Sequence, residues 1–169
     1  AEKVIATLPD VKVELKFVDG AQHVFLNGED VSEAIRTPEA SMGASNVSAI
    51  PKVREFLFDL QRKIAAENDC IMDGRDIGTV VLPNADVKIF LTTSVEERAN
   101  RRYKEMIEKG EEADYNDILE DIKKRDYQDS HREIAPLKQA DDAIYVDNGG
   151  YNLEDGAEDL LRIIKEHLK

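Results

Sequence analysis

The sequence predicts an α/β protein: a parallel sheet flanked by helices, with a small antiparallel sheet at its start. Three observations carry this. VKVELKFV (11–18) alternates apolar and polar residues and is followed by a turn and a second alternating run, the pattern of a hairpin. From residue 70 onward, short apolar runs alternate with amphipathic stretches, which implies strand–helix–strand crossovers and hence parallel pairing. Residues 95–109, 116–133 and 153–168 have helical spacing, and no run approaches the ~20 apolar residues of a membrane span.

In the hairpin, Val11, Val13, Leu15 and Phe17 share one face, with Lys12, Glu14 and Lys16 on the other. Asp19-Gly20 and Asn27-Gly28 are turn pairs that tolerate positive φ. Residues 29–50 read as helical pieces broken at Pro38 and Gly43. Pro51 suits the first position of a helix, whose stripe Val53, Phe56, Leu57, Leu60 and Ile64 faces a core. Arg54 and Asp59 lie off that stripe on opposite flanks. CIMDG (70–74) reads as a strand end, with Cys70 as a buried, inert thiol. VKIFLTTS (87–94) is the next strand. Ser94 and Glu97 form a capping box for the helix at 95–109, which Gly110 ends. DAIYVDN (142–148) is a third strand. Leu153, Leu160, Leu161, Ile164 and Leu168 stripe the final helix.

Of the 169 residues, 41% are hydrophobic and 35% charged, so the chain is a globular rather than a disordered one. A single cysteine leaves no intrachain disulfide and no cysteine-based zinc site, and a cytoplasmic location is the default. The net charge of −13 repels nucleic acid and acidic membrane surfaces. A small anion can bind only where the ten arginines are concentrated.

Two clusters stand out. In MDGRD, Asp73 ends a strand, where a carboxylate can hold a metal-bound water near phosphate. Gly74 makes room for close approach, and Arg75 offers a planar set of donors suited to phosphate. Asp76 can accept from an amino group; a structural ion-pair turn is the alternative. In IKKRDYQDSHRE, Arg125, Asp129 and Arg132 are spaced to share one helical face. They form either a phosphate and sugar clamp or a surface ion-pair ladder. Arg98, Arg101 and Arg102 taken alone read as a solvated face. The three histidines sit too far apart in sequence for metal-ligand spacing, and no G-x-x-x-x-G-K-[ST] occurs.

LNGEDVSEAIRTPE (26–39), SNVSAIPKVRE (45–55), IMDGRDIGTVVLPNADVKIFLTTSVEERANRR (71–102), IKKRDYQDSHREIAPL (122–137) and DAIYVDN (142–148) together resemble the bacterial cytidylate kinases, nucleoside monophosphate kinases of the P-loop class. The resemblance covers essentially the whole chain. It implies phosphoryl transfer from ATP to CMP or dCMP with Mg2+, by a protein expected to be monomeric and cytoplasmic, with no nucleic-acid or membrane partner. It implies an incomplete P-loop kinase-type sheet, a monophosphate-binding domain with an antiparallel insert over 1–69, and the remaining core over 70–169, with a lid at about 103–133.

By position, Ser45, Arg54 and Asp76 resemble the residues that read cytosine. Arg75 and Arg132 resemble those gripping the monophosphate, and Arg125 and Asp129 those near the sugar hydroxyls and phosphates. Asp73 resembles the carboxylate near the magnesium shell, through water. Arg101, or its neighbours Arg98 and Arg102, resembles the arginine that stacks on ATP adenine. Asp73, Arg75, Arg125 and Arg132 are the expected catalytic set. In the family, the glycine-rich loop and its strand precede the point where this sequence starts, and that strand belongs between 70–73 and 87–92. The 169 residues alone are therefore expected to show no CMP-dependent ATP consumption. A non-catalytic pyrimidine-nucleotide-binding fragment and an acidic structural module are the other readings.

Overall fold

A computed structural model describes residues 1–168, apart from the side chains of Pro38, Ser41 and Ser45. The chain divides into two compact units, Ala1–Cys70 and Ile71 onward. Among the described residues no helix is long and apolar enough to cross a membrane.

The first unit opens with α1 (Glu2–Thr7), followed by β1 (Val13–Val18), β2 (Ala21–Leu26) and the two-residue β3 (Glu29–Asp30). They form one antiparallel sheet in the order β1-β2-β3, with Leu15 opposite Val24 and Phe25 opposite Asp30. Both hairpin turns use positive φ at two residues, Asp19 (51°) with Gly20 (84°) and Asn27 (51°) with Gly28 (88°), which matches the right-handed strand twist. The sheet is thinly covered: Phe17, placed by alternation on the apolar face, is exposed. Lys16 lies over the ring of Phe25, 4.5 Å from its centroid, a cation–π contact.

Next come α2 (Pro38–Ser48) and α3 (Pro51–Glu67). Thr37 Oγ1 caps α2 by accepting from Ala40 N at 3.1 Å. The expected break at Gly43 does not occur, and α2 runs through it. A lone helical glycine costs only about 1 kcal/mol, less than the rest of the turn returns. Val53 of α3 is buried, and Phe56, Leu60 and Ile64 are partly so, whereas Leu57 is exposed. Arg62 lies over the Phe58 ring, its guanidinium carbon 4.1 Å from the ring centroid.

The second unit holds β4 (Ile89–Thr92), α4 (Val95–Glu108), α5 (Tyr115–His131), β5 (Ile144–Asp147) and α6 (Leu153–His167). β4 and β5 are parallel, with Ile89 opposite Ile144 and Thr92 opposite Asp147. Val81, Ala99, Val146 and Ile163 are buried. The expected strand at 70–73 is absent: that segment is irregular, and no described strand pairs with it. A strand exists only as a ladder, and backbone groups without one turn to water. Ile71 is accordingly 91% exposed. Cys70 is exposed too, against the expectation of a buried thiol.

The helix ends follow local chemistry. Ser94 Oγ accepts from Glu97 N at 3.1 Å, but Glu97 does not complete a capping box. Its Oε1 instead accepts from Gly150 N at 3.3 Å. Gly110 (φ 76°) ends α4, with Glu111 N donating to Met106 O at 3.0 Å, the left-handed stop of a helix. Asp114 Oδ1 caps α5 through Asn116 N and Asp117 N. In α6, Ile163 and Gly156 are buried while Leu153, Leu161 and Leu168 are exposed, so the burying stripe is rotated from the expected one.

Candidate active site

The segment 73–76 leads directly into a single π-helical turn, Ile77–Val81. Val80 N (2.9 Å) and Val81 N (3.2 Å) both donate to Asp76 O, and Leu82 N donates to Ile77 O at 2.7 Å. Such turns often mark functional sites because they re-aim the residue that opens them. The residue that opens this one, Asp76, is 8% exposed. Gly74 is not the open gap that its sequence position suggested. A Cβ there would lie 2.8 Å from Ile77 Cγ1, so the room is already filled by Ile77. Asp73 is exposed.

α5 supplies the opposing groups. Arg75 Nε donates to Asp129 Oδ2 at 2.9 Å, and Arg125 Nε lies 4.0 Å from the same oxygen. Asp129 thus stands between two guanidinium groups, with Arg75 and Arg125 more exposed than the carboxylate they share. Arg132 departs from the expected helical face. It lies beyond the last residue of α5 with extended backbone (φ −66°, ψ 144°).

The chain then doubles back. Leu137 N donates to Asp129 O at 2.7 Å, and Arg132 Nε donates to Ala135 O at 2.6 Å. Ala135 holds a left-handed φ of 49°, a conformation that costs a non-glycine residue ~1 kcal/mol. This hook brings Arg132 Nη2 to 3.6 Å from Asp76 Oδ1. Nη2 is buried and makes no hydrogen bond among the described residues, so its counter-charge here is the Asp76 carboxylate.

Arg75, Arg125, Arg132, Asp76 and Asp129 are therefore brought together within the second unit, Asp73 adjoining them in sequence. Beyond Arg75 Nε and Arg132 Nε, these three guanidinium groups make no hydrogen bond among the described residues. Arg75 and Arg125 are exposed, so their remaining donors are open to solvent, whereas Arg132 Nη2 is buried against Asp76.

The arginines of α4 divide. Arg98 makes a two-point bridge to Asp126 of α5 (Nη1 to Oδ1 2.9 Å, Nη2 to Oδ2 2.5 Å). Its hydrogen bond to Asp126 strengthens its hold on the proton. Both of its terminal nitrogens are engaged in that bridge. Arg101 Nη2 donates to Asn148 O at 2.9 Å, just past the carboxyl end of β5, where ligands of parallel sheets gather. The buried Thr93 Oγ1, at the end of β4, lacks a hydrogen-bond partner among the described residues. Arg102 contacts Glu105 of its own helix at 3.3 Å.

In the first unit, Arg54 is half-buried on the first turns of α3. Ser45 lies on α2, its side chain outside the described residues. Among the described residues no group of three or more His, Cys, Asp or Glu is placed to hold a metal ion. Asp73, exposed and without a partner among the described residues, is a single carboxylate. That fits Mg2+, which keeps several waters and takes one or two carboxylates plus phosphate oxygens.

Sequence reasoning missed Asp126, Lys88 and the Ala135 hook. Lys88 is 7% exposed at its side chain and bonds Pro83 O and both oxygens of Asp142, at 2.8 and 2.7 Å. Its stem packs beside Gly78 of the π turn. These partners lie up to 54 residues apart, beyond any local pattern.

A family model described as cytidylate kinase matches residues 2–166. A cytidylate kinase of Caldicellulosiruptor bescii is 49% identical over 168 residues, 99% of this chain and 74% of the relative. One from Lactobacillus gasseri is 50% identical over 169 residues, with 99% and 74% covered. One from Streptococcus pyogenes is 55% identical over 139 residues, with 82% and 62% covered.

Proposed function

The chain belongs to the cytidylate kinase family, and from that premise we propose that it phosphorylates CMP or dCMP, taking the phosphoryl group from ATP, with the cluster around Asp76 and Asp129 holding the monophosphate. The observation that supports this most is the set of three arginines with unengaged donors gathered in a chain of net charge −13. In such a field, only a deliberate local concentration of arginine attracts a phosphate.

The reaction forms a bond from a CMP phosphate oxygen to the γ-phosphorus and breaks the bond from that phosphorus to the β,γ-bridging oxygen. CDP and ADP leave. It needs positioning and charge neutralisation more than covalent help. Arg75 and Arg132 neutralise the acceptor phosphate. Asp129 orients Arg75 and accepts from a sugar hydroxyl, with Arg125 alongside. Asp76 accepts from the cytosine amino group or fixes Arg132. Arg54 donates to the cytosine carbonyl and ring nitrogen, with Ser45 as a further contact. Arg101 lies against ATP adenine. Mg2+, when bound near Asp73 through water, would neutralise the phosphate oxygens of ATP. The setting is a cytoplasmic monomer, with residues 1–69 as the monophosphate-binding domain and about 103–133 as a lid. An acidic structural module is not favoured.

The test is nucleotide-dependent ADP formation by the full gene product, with CMP, dCMP, UMP and AMP as acceptors. CMP or dCMP should support turnover well above UMP and AMP. Asp76→Ala should compress that discrimination. No CMP-dependent ADP formation, together with no saturable CMP binding, would refute the reading.

A further inference from the structure

We infer that the Arg98–Asp126 bridge is a positioning pair: it sets the rotation of α5 about its own axis and thereby places Arg125 and Asp129 against the nucleotide. This rests on the proposed assignment of Arg125 and Asp129 to the sugar and phosphate.

The bridge joins the first turn of α4 to the last third of α5 by two parallel charge-assisted bonds. Such a two-point contact fixes orientation as well as distance. It is the one ion pair between these helices among the described residues. A second contact between them is the edge-on pair Tyr103–Tyr115, 6.3 Å between centroids, near the connection from α4 to α5. The tyrosines pin one end of the helix pair and the bridge pins the part next to the site.

Asp126 directly follows Arg125 and precedes Asp129 by three residues. At about 100° per residue, Arg125 and Asp129 fall on one flank of Asp126, roughly 100° and 60° away. Any rotation the bridge prevents is therefore one that would swing both site residues. With side-chain atoms about 5–6 Å from the axis, a turn of roughly 20° moves them by about 2 Å. Asp129 Oδ2 is 2.9 Å from Arg75 Nε, so such a shift breaks that bond. Ser130 Oγ, which donates to Asp126 O at 2.7 Å, stays on α5 and cannot resist the turn.

A bridge that merely stabilises the helix pair makes a different prediction from one that aims Asp129. CMP affinity of the full gene product is measured by titration calorimetry for the unaltered protein, Asp129→Ala, Arg98→Gln and the double variant. Arg98 does not touch Asp129, so direct coupling between the altered residues is excluded. Asp129→Ala should weaken CMP binding by roughly tenfold, a typical loss for a hydrogen bond to a charged group. In the Arg98→Gln background the same change should cost less than about threefold, because Asp129 is already misplaced.

Equal penalties in the two backgrounds overturn the inference and leave the assignment of Asp129 standing. No penalty in the unaltered background removes the assignment of Asp129 and the inference with it. Arg98→Lys keeps the charge but cannot make the two-point contact. It should reproduce part of the lost coupling, and it decides the matter by the same comparison if Arg98→Gln does not fold.

Discussion

Gly74→Ala is expected to destabilise the second unit and to weaken CMP binding through one specific collision. The added Cβ would lie 2.8 Å from Ile77 Cγ1 and 3.2 Å from Cδ1, where ordinary contact begins at 3.4 Å. Ile77 must retreat by about 0.6 Å, on the steep side of the contact potential. Cγ1 is one bond from Cβ, so rotation at the tip does not clear it. The residue is β-branched and has few χ1 choices. The left-handed region is not involved, because Gly74 is absent from the positive-φ glycines. The cost is therefore one of overpacking, about 1–3 kcal/mol. For a protein of this size that lowers the thermal midpoint by roughly 2–10 °C.

Ile77 is the first residue within the π turn, directly after Asp76, and Gly74 directly precedes Arg75. The same shift therefore disturbs both, and CMP affinity should fall alongside stability. Circular dichroism melts and CMP titrations of Gly74→Ala, Ile77→Ala and the double variant provide the assay. Removing Ile77 Cγ1 relieves the collision, so the double variant should lose less than the two single losses together. Strict additivity, or a Gly74→Ala protein as stable as its parent, would show that the gap at Gly74 is not what Ile77 fills.

Arg132→Ala should lower turnover of CMP at least tenfold, because it removes a buried guanidinium donor from the acceptor phosphate; unchanged steady-state kinetics would reduce the hook at 132–135 to a structural turn. Lys88→Met should lower the urea midpoint by an amount equivalent to about 1–2 kcal/mol, since a buried ammonium loses its carbonyl and carboxylate partners but leaves an apolar stem of similar shape; an unchanged midpoint would show that the pair with the exposed Asp142 contributes nothing. In the first unit, hydrogen bonds from the Ser32 hydroxyl and backbone, with a smaller contribution from His23, hold the Asp30 carboxyl down at about 2. A folded value below the ordinary 3.8 means that its stabilisation is complete above about pH 4 and is lost as pH falls through 2. Carboxyl NMR should show Asp30 titrating near pH 2 in the parent and closer to 3.8 in Ser32→Ala; identical titrations would remove the Ser32 hydroxyl as the cause.

Local pattern settled a good deal of this protein. Period-two alternation and two Asx-Gly pairs specify the hairpin, because they are properties of adjacent residues. Ser94 and Gly110 bound their helix for the same reason: caps act within a single turn. The motifs DGRDIGTVV and IKKRDYQDSHRE also carried the family resemblance and, through it, the expected chemistry; on their residues alone an ion-pair turn and a surface ladder stayed open. What those motifs could not convey was which charges meet. Arg125 and Arg132 have helical spacing, yet only Arg125 is on the helix.

That division has one physical cause. Helix caps and turns close within a few residues, so their energy is written in local sequence. The pairings Arg75–Asp129, Arg98–Asp126 and Lys88–Asp142 close loops of 28 to 54 residues, and nothing local distinguishes the carboxylate that will be met from the next one along. The strand at 70–73 shows the same rule. Its apolar sequence is strand-like, but a strand is a relation between two segments, and no described neighbour supplies the second. By itself the sequence determined the hairpin, the helices of the second unit and the family. Tertiary structure alone decided that Arg98 meets Asp126, and that Arg132 reaches Asp76 from a hook beyond its helix.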